Sequence, residues 1–540
     1  MLALLPSAAG LMPSATAAQG VAEAAAGDAP QGPGPEPRAG NPQPRGAAPE
    51  PRLRAPLSAI DWLSGGSVAA GANPAPPAAI PPRTGEITVT PLDAPTNDAI
   101  GLLPADRAGL PRDLWGMTSA QALSAALARL GPETLPSLQR LILTLLVAEL
   151  DPPGDAEGRG ALFEARLDRL IAFGALDPAL AMVEAAGPDT SPGIFGRWFD
   201  LSLWRGDAGL ACAALRADRG LAPDPAAHVY CAAREGAWDE AEALLAAPEA
   251  AAITAPTRRA LARFLDPEAG YDAPEPLPHA PPDALTWQIL DTLGEGGSTA
   301  QLPLAFAHAE LGSSAGWKAR LEAAERLARA GALTPNRLLG LYTARVPAAS
   351  GGVWERVAAV QALDDALVEG TAEAVARTLP RAWAAMAEAE LEAPLAALVA
   401  DRLPGVEALP PEAAALAWRV ALLAGMTPPA PPPLPGAALR DGFLAAVAAG
   451  RLTPDTPAPP GAMPAAILAG LTAPPAADVA RRLSEARSGE VLLEGLGMLQ
   501  GSGIEDPRLV SEALGMLRAA GQDGVARRTA LELLLLDRRG

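Results

Sequence analysis

Apolar residues recur at helical spacing through most of the chain from about residue 113 onward. In "ALFEARLDRLIAFG" (161–174), Phe163, Leu167, Leu170 and Ile171 share one face while Glu164, Arg166, Asp168 and Arg169 take the others. That is the 3.6-residue period of a helix buried on one side. Regular helix opens in "LWGMTSAQALSAALARL" (114–130), where Thr118 or Ser119 is placed to cap the first turn. The strongly apolar "ALELLLL" (530–536) predicts a terminal helix docked in the last groove as a cap. Strand periodicity is confined to "GEITVTPLD" (85–93), a single β-branched alternation with no second strand to pair with. Such a segment can lie along helices or add to a sheet on a partner.

The helical runs are punctuated by a recurring signal. "FGALDPAL" (173–180), "AGALTPNR" (330–337) and "AGRLTPDT" (449–456) share Gly, a spacer, Leu, then Asp or Thr, then Pro, and "AGMTPP" (424–429) compresses the same pattern. Glycine supplies the left-handed residue that ends one helix, Asp or Thr caps the next, and Pro fits its first turn. Each such stretch predicts a corner between two antiparallel helices.

An interval of about thirty residues connects several corners. Gly174, Leu176, Ala179 and Val183 align with Gly206, Ala208, Ala211 and Leu215, and again with Gly236, Trp238, Ala241 and Leu245. Strides of this length are those of helix-pair repeats. "EGAWDEAEALL" (235–245) resembles the inter-helix turn of the tetratricopeptide repeat family, in which Gly ends the first helix, an aromatic fills the turn and a small residue admits the second helix. The resemblance spans about residues 160–250. The first-helix positions that the family fills with Trp, Leu, Gly and Tyr are here Pro225, His228, Val229 and Ala232. It implies a degenerate, tetratricopeptide-like helical-repeat protein.

Proline and glycine divide the chain. "MLALLPSAAGLMPSATAAQG" holds a short apolar stretch followed by Ala15-Thr16-Ala17, a small-x-small pattern that marks residues 1–17 as a signal peptide, the alternative being an inert Ala-rich tail. Residues 18–112 form a Pro/Ala-rich arm expected to be disordered. It is interrupted by "GEITVTPLD" and by "PLSAIDWLS" (56–64), whose Ile60, Trp62 and Leu63 can staple back onto the helices or engage a partner. Pro-rich breaks near 272–283, 427–436 and 456–464 then separate helical blocks at 113–270, 284–426 and 437–540, the last carrying the terminal cap.

Composition sharpens the picture in two respects. Of the 540 residues 49% are hydrophobic but only 4% aromatic, a core of Ala, Leu and Val that suits closely packed small helices. The formal charge of −20 disfavours nucleic acid or an anionic membrane surface as a partner, and no apolar run is long enough to span a bilayer.

Candidate chemistry is sparse. His228, His279 and His308 are far apart and none has metal-ligand spacing. "GEGGST" (294–299) lacks the lysine of a phosphate loop and reads as a flexible turn, and carboxylates sit on exposed helical faces beside Arg. "LGMLQG" (496–501) resembles a stretch of the soluble lytic transglycosylases, long α-superhelices bearing a peptidoglycan-cleaving domain, but no Glu-Ser pair precedes it to supply the acid. The distinctive stretch is 316–357. There Trp317, Lys318, Arg320, Asn336, Tyr342, Arg345 and Trp354, with the Ser350-Gly351-Gly352 loop at the edge, are either fillers at helix crossings or an Arg and aromatic binding patch.

The two cysteines, Cys212 and Cys231, stand about equally far from a corner near residue 222. On antiparallel helices rising 1.5 Å per residue they reach the same height, within disulfide range, and a bridge suits an oxidising compartment. The alternative is a pair of small buried thiols.

These features predict an all-α, right-handed α-solenoid of short antiparallel helix pairs behind a disordered arm. They point to a non-catalytic scaffold or adaptor, periplasmic or secreted, that binds another cell-envelope protein through its groove or arm and needs no cofactor. The contact residues are expected among Ile60, Trp62, Leu63, Trp317, Arg320, Tyr342, Arg345 and Trp354. The alternatives are a peptidoglycan-acting hydrolase and a cytoplasmic location.

Overall fold

The structure is a computed structural model that describes residues 97–156, 160–222, 224–266, 281–312, 315–431 and 433–536. The signal segment, the arm up to residue 96 and both its apolar motifs, including Ile60, Trp62 and Leu63, lie outside the described residues. Helix dominates: among the described residues 24 α-helices and short 3-10 turns stand against a single two-residue parallel bridge, Leu103–Pro104 beside Ala148–Glu149. The fold is all-α. No helix among the described residues is long and apolar enough to cross a membrane.

The folded chain starts at least as early as Asn97, inside the stretch assigned to the arm. Residues 97–104 have no helical period, and their backbone groups pair instead with helix ends. Asp98, wholly buried, accepts a hydrogen bond from the Phe163 amide at 2.7 Å, and the Leu102 amide donates to the Val147 carbonyl at 2.8 Å. Arg166 completes this join, and here the expected helical face is corrected. Far from lying on a solvated side of the Ala161–Ala172 helix, Arg166 is 1% exposed and donates to the carbonyls of Leu146, Ala148, Asp98 and Ile100. The planar guanidinium satisfies carbonyls left open where the Pro136–Val147 helix ends. Burial holds its pKa down at about 10, so it remains charged.

The corner signal marks helix ends more faithfully than helix starts. At 330–337 both halves work: the Trp317–Arg329 helix ends through Gly331 at φ 73°, and the Thr334 side chain accepts from the Arg337 amide to cap Pro335–Tyr342. At 173–180 the second helix starts earlier than expected, at Leu176, which places Asp177 inside its first turn, where it pairs with Arg205. At 449–456 and 424–429 glycine ends the helix but none follows at once. Thr453 and Thr456 close a local turn, and Pro457, Pro459 and Pro460 lack the amides a continuing helix would need. The aligned positions of the thirty-residue interval are locally alike: Gly174, Gly206 and Gly236 all have positive φ, and Ala179, Ala211 and Ala241 are all completely buried.

Packing joins the two sequence ends of the described fold. The Asp523–Leu535 helix packs on Ala438–Ala448 and also on Pro136–Val147, so the expected terminal cap seats against the first helices as well as its own block. Ser137 donates its amide and hydroxyl to Glu532 Oε2 at 2.9 and 2.7 Å, and Thr134 Oγ1 donates to the Leu499 carbonyl at 2.6 Å. The Met117 amide donates to the Ala486 carbonyl at 3.0 Å. One hydrophobic core runs from Leu103 through the 161–306 helices and includes Leu492, Leu514 and Leu531, while a second gathers residues 307–423.

Candidate functional site

The 316–357 stretch folds as three helices, Trp317–Arg329, Pro335–Tyr342 and Val353–Glu369, and the structure sorts its distinctive residues by depth. Tyr342 belongs to the interior. Its hydroxyl donates to Glu325 Oε1 at 2.7 Å, and Arg356 clamps the same carboxylate from Nε at 2.9 Å and Nη2 at 2.5 Å. Glu325 is 3% exposed, so this is an ion pair taken out of water with its hydrogen-bonding capacity largely met. Burial first, and then the Glu325 charge, drives the Tyr342 hydroxyl far above its ordinary pKa. It is a permanent donor that ties the Pro335–Tyr342 helix to Trp317–Arg329. The carboxylates are therefore not all solvated partners of surface arginines, as the charge pattern suggests; Glu325 and Glu532 are interior groups.

Trp317 and Trp354 are half-buried at the rim. Their rings lie 5.1 Å apart between centroids, and the Trp317 indole donates to the Leu341 carbonyl at 3.0 Å. Arg320 is half-buried too, whereas Lys318 and Asn336 are exposed, Lys318 pairing with Glu322 one turn on. Arg345 is exposed, and beside it Val346 is 82% exposed. The loop that carries them is held from beneath: Gln361 Nε2 donates to the carbonyls of Tyr342 and Arg345 at 2.7 and 2.8 Å. The candidate surface is thus an Arg and Val tip on a pinned loop, with a tryptophan pair set into the same group of helices. Because the anchoring bonds are to backbone carbonyls, the Arg345 and Val346 side chains project without having to order the loop on contact.

Other residues singled out in the sequence have structural partners. Cys212 and Cys231 form a disulfide between the Gly209–Ala217 and Pro225–Arg234 helices, with Cα atoms 5.3 Å apart. Trp238 starts the Trp238–Ala246 helix, 47% exposed, with its ring 6.3 Å from that of Phe264. His228 contacts the Ala222 carbonyl and His308 the Gly174 carbonyl; burial lowers the His308 pKa to about 4, so it is neutral near pH 7. His279 lies outside the described residues. The "GEGGST" turn is tethered, with the Thr299 amide donating to Glu310 and its carbonyl accepting from Arg326. Gln500 of "LGMLQG" accepts from the Gly131 amide at 3.0 Å, a bond across the join of the two ends of the described fold.

Two features escape the sequence reading because their members are distant in it. Asp200 and Asp283 come from the Pro192–Trp204 helix and from the cap of Ala284–Thr292; burial, and then the neighbouring Asp283 charge, raise Asp200 to about 7. Arg140, Arg527 and Arg528 line one cavity although nearly the whole described chain separates the first from the others. No spacing rule links such residues. No protein-family model, curated protein or solved structure matches the chain.

Proposed function

We propose that this protein is a non-catalytic scaffold or adaptor that binds another cell-envelope protein, with Arg345 and Val346 at the centre of the contact. On this reading the helix pairs of about 160–250 are degenerate tetratricopeptide-like units of a right-handed α-solenoid, and the protein works in the periplasm or outside the cell. The observation that carries the reading is the exposed Arg345 and Val346 tip on a backbone-anchored loop. Arginine is among the residues enriched in binding hot spots, and an ordered loop keeps the entropy cost of association low. The Cys212–Cys231 disulfide supports an oxidising compartment. The arm, with Ile60, Trp62 and Leu63, provides a second point of attachment.

The test is capture from periplasmic extract by wild type and by the Arg345→Ala/Val346→Asp double variant, with bound proteins identified by mass. A partner held by wild type and lost by the variant, at unchanged melting temperature, supports the reading. Equal capture by both removes the tip from the contact, and release of soluble fragments from peptidoglycan by the purified chain would replace the scaffold with a hydrolase.

A further inference from the structure

Where the two ends of the described fold meet, a cavity of about 410 Å³ opens between the Pro136–Val147 helix, the end of Pro411–Leu423 and the Asp523–Leu535 helix. Its size lies within the range of small-molecule sites, about 300–1,000 Å³. Three arginines are among its lining residues, Arg140, Arg527 and Arg528, together with the hydroxyl-bearing Ser137, Thr144 and Thr427. Leu141, Leu422 and Leu531 give it apolar wall, and no Asp or Glu is among its lining residues. Among the described residues none of the three arginines makes a hydrogen bond or ion pair, in a chain of net charge −20 where carboxylates are plentiful.

Glu532 is electrostatically coupled to Arg140 and Arg528, but it makes no hydrogen bond to either. Glu532 is 2% exposed and spends Oε2 on the Ser137 amide and hydroxyl, and burial pushes its pKa upward. Arg140 feels the crowding, its pKa lowered by burial and then by the charge of Arg528. The arginines are placed by backbone geometry. Gly425 (φ 87°) and Gly450 (φ 63°) end two neighbouring helices. A Cβ on Gly425 would meet the Arg528 guanidinium, 2.9 Å from Cζ, and one on Gly450 would lie 3.1 Å from Arg527 Nη1. Adjacent residues on one helix are thus spread over two helix C-termini, whose carbonyl ends attract cations without consuming the guanidinium donors in hydrogen bonds.

We propose that this cavity binds a small phosphomonoester, its phosphoryl group held by Arg140, Arg527 and Arg528 and its organic body against the leucine wall. Three forked cations around one space match the geometry and charge of a dianionic phosphoryl group; a single carboxylate would leave most of the positive charge uncompensated. The threonine and serine hydroxyls add neutral donors around the same volume.

The experiment is calorimetric titration of the full chain at fixed ionic strength with phenyl phosphate, inorganic phosphate and benzoate, which separate dianion plus body, dianion alone and body with one charge. Phenyl phosphate is expected to bind tightest, with benzoate weaker by at least about tenfold, the worth of one charge-assisted hydrogen bond. Arg140→Gln and Arg528→Gln should each weaken phenyl phosphate by a similar factor in a chain that still folds. If either glutamine variant fails to fold, Arg140→Lys or Arg528→Lys keeps the charge, loses the fork and should still show the weakening. No binding by wild type, equal binding of benzoate and phenyl phosphate, or unaltered affinity in the folded variants would overturn the proposal. A fall in variant stability with no phosphate response would assign the arginines to helix ends alone.

Discussion

Ser137 and Glu532, 395 positions apart in sequence, are joined by two hydrogen bonds to one buried carboxylate oxygen. The contact fixes the position of the Pro136–Val147 helix against Asp523–Leu535, and with it the arginine-lined cavity between them. Several other groups of this kind, polar and interior, make measurable claims.

Asp200 gives the fold a pH signature. Its folded pKa, about 7, stands above the ordinary 3.8, because burial and the Asp283 charge oppose ionisation more than Arg197 favours it. The folded state therefore holds this proton more tightly than the unfolded chain. The stability it contributes is fully present below about pH 4 and is lost as pH rises through 7. Asp200→Asn, which never ionises, should match wild type at pH 4 and melt higher at pH 8. Parallel melting curves across that interval would show that Asp200 titrates normally.

Cys212 and Cys231 close a loop of 19 residues' separation, worth roughly 3 kcal/mol by the chain-entropy model. Both sulfurs belong to buried residues, so reductant should act only where the helices open. Urea unfolding of wild type should lose about that much on full reduction, and Cys212→Ala/Cys231→Ala should show no response to reductant. Intact mass of exported protein, alkylated in denaturant without reductant, should carry no label; two labels would remove the bridge.

The Glu325 cluster separates interior from surface within the 316–357 stretch. Arg356→Met leaves a buried carboxylate unpaired and should cost about 3–5 kcal/mol. Tyr342→Phe removes a donor to that charge and should cost about 1.5–3 kcal/mol. Arg345→Ala, whose side chain is exposed, should unfold in urea like wild type. A large loss from Arg345→Ala would mean that this side chain has a packing role.

Arg166 should tolerate neither neutral nor charged replacement. Its guanidinium serves carbonyls from two segments, and a lysine ammonium, a point charge with another geometry, does not reproduce the fork. Arg166→Lys and Arg166→Met are both expected to lower stability by several kcal/mol, on the order of a disrupted buried charge network. Full retention of stability by Arg166→Lys would show that charge alone suffices.

The helical class is legible because its signals are local. The period that buries Phe163, Leu167 and Leu170 is carried by neighbouring residues, as is the Gly331 to Thr334 corner. The same period misreads Arg166, since nothing in 161–174 announces the open carbonyls at 146 and 148 that draw a cation inward. The corner rule fails at Thr453 because it weighs one proline as a helix starter and does not count the three that follow. Within the candidate patch, composition gathers Tyr342 and Arg345 together although one is a core donor and the other faces solvent; three residues of helix end decide between them. The arginine cavity is invisible to any local window, its parts being assembled only by the meeting of the two ends.

That meeting also sets the order of events during synthesis. The Leu-rich Pro136–Val147 helix leaves the ribosome nearly 400 residues before Glu532 and the surface that covers it. Until then its apolar side has no permanent neighbour there, and contacts this distant are slow to form and open to association with other chains. Loss of the Asp523–Leu535 helix would strip the cover from the Pro136–Val147 helix.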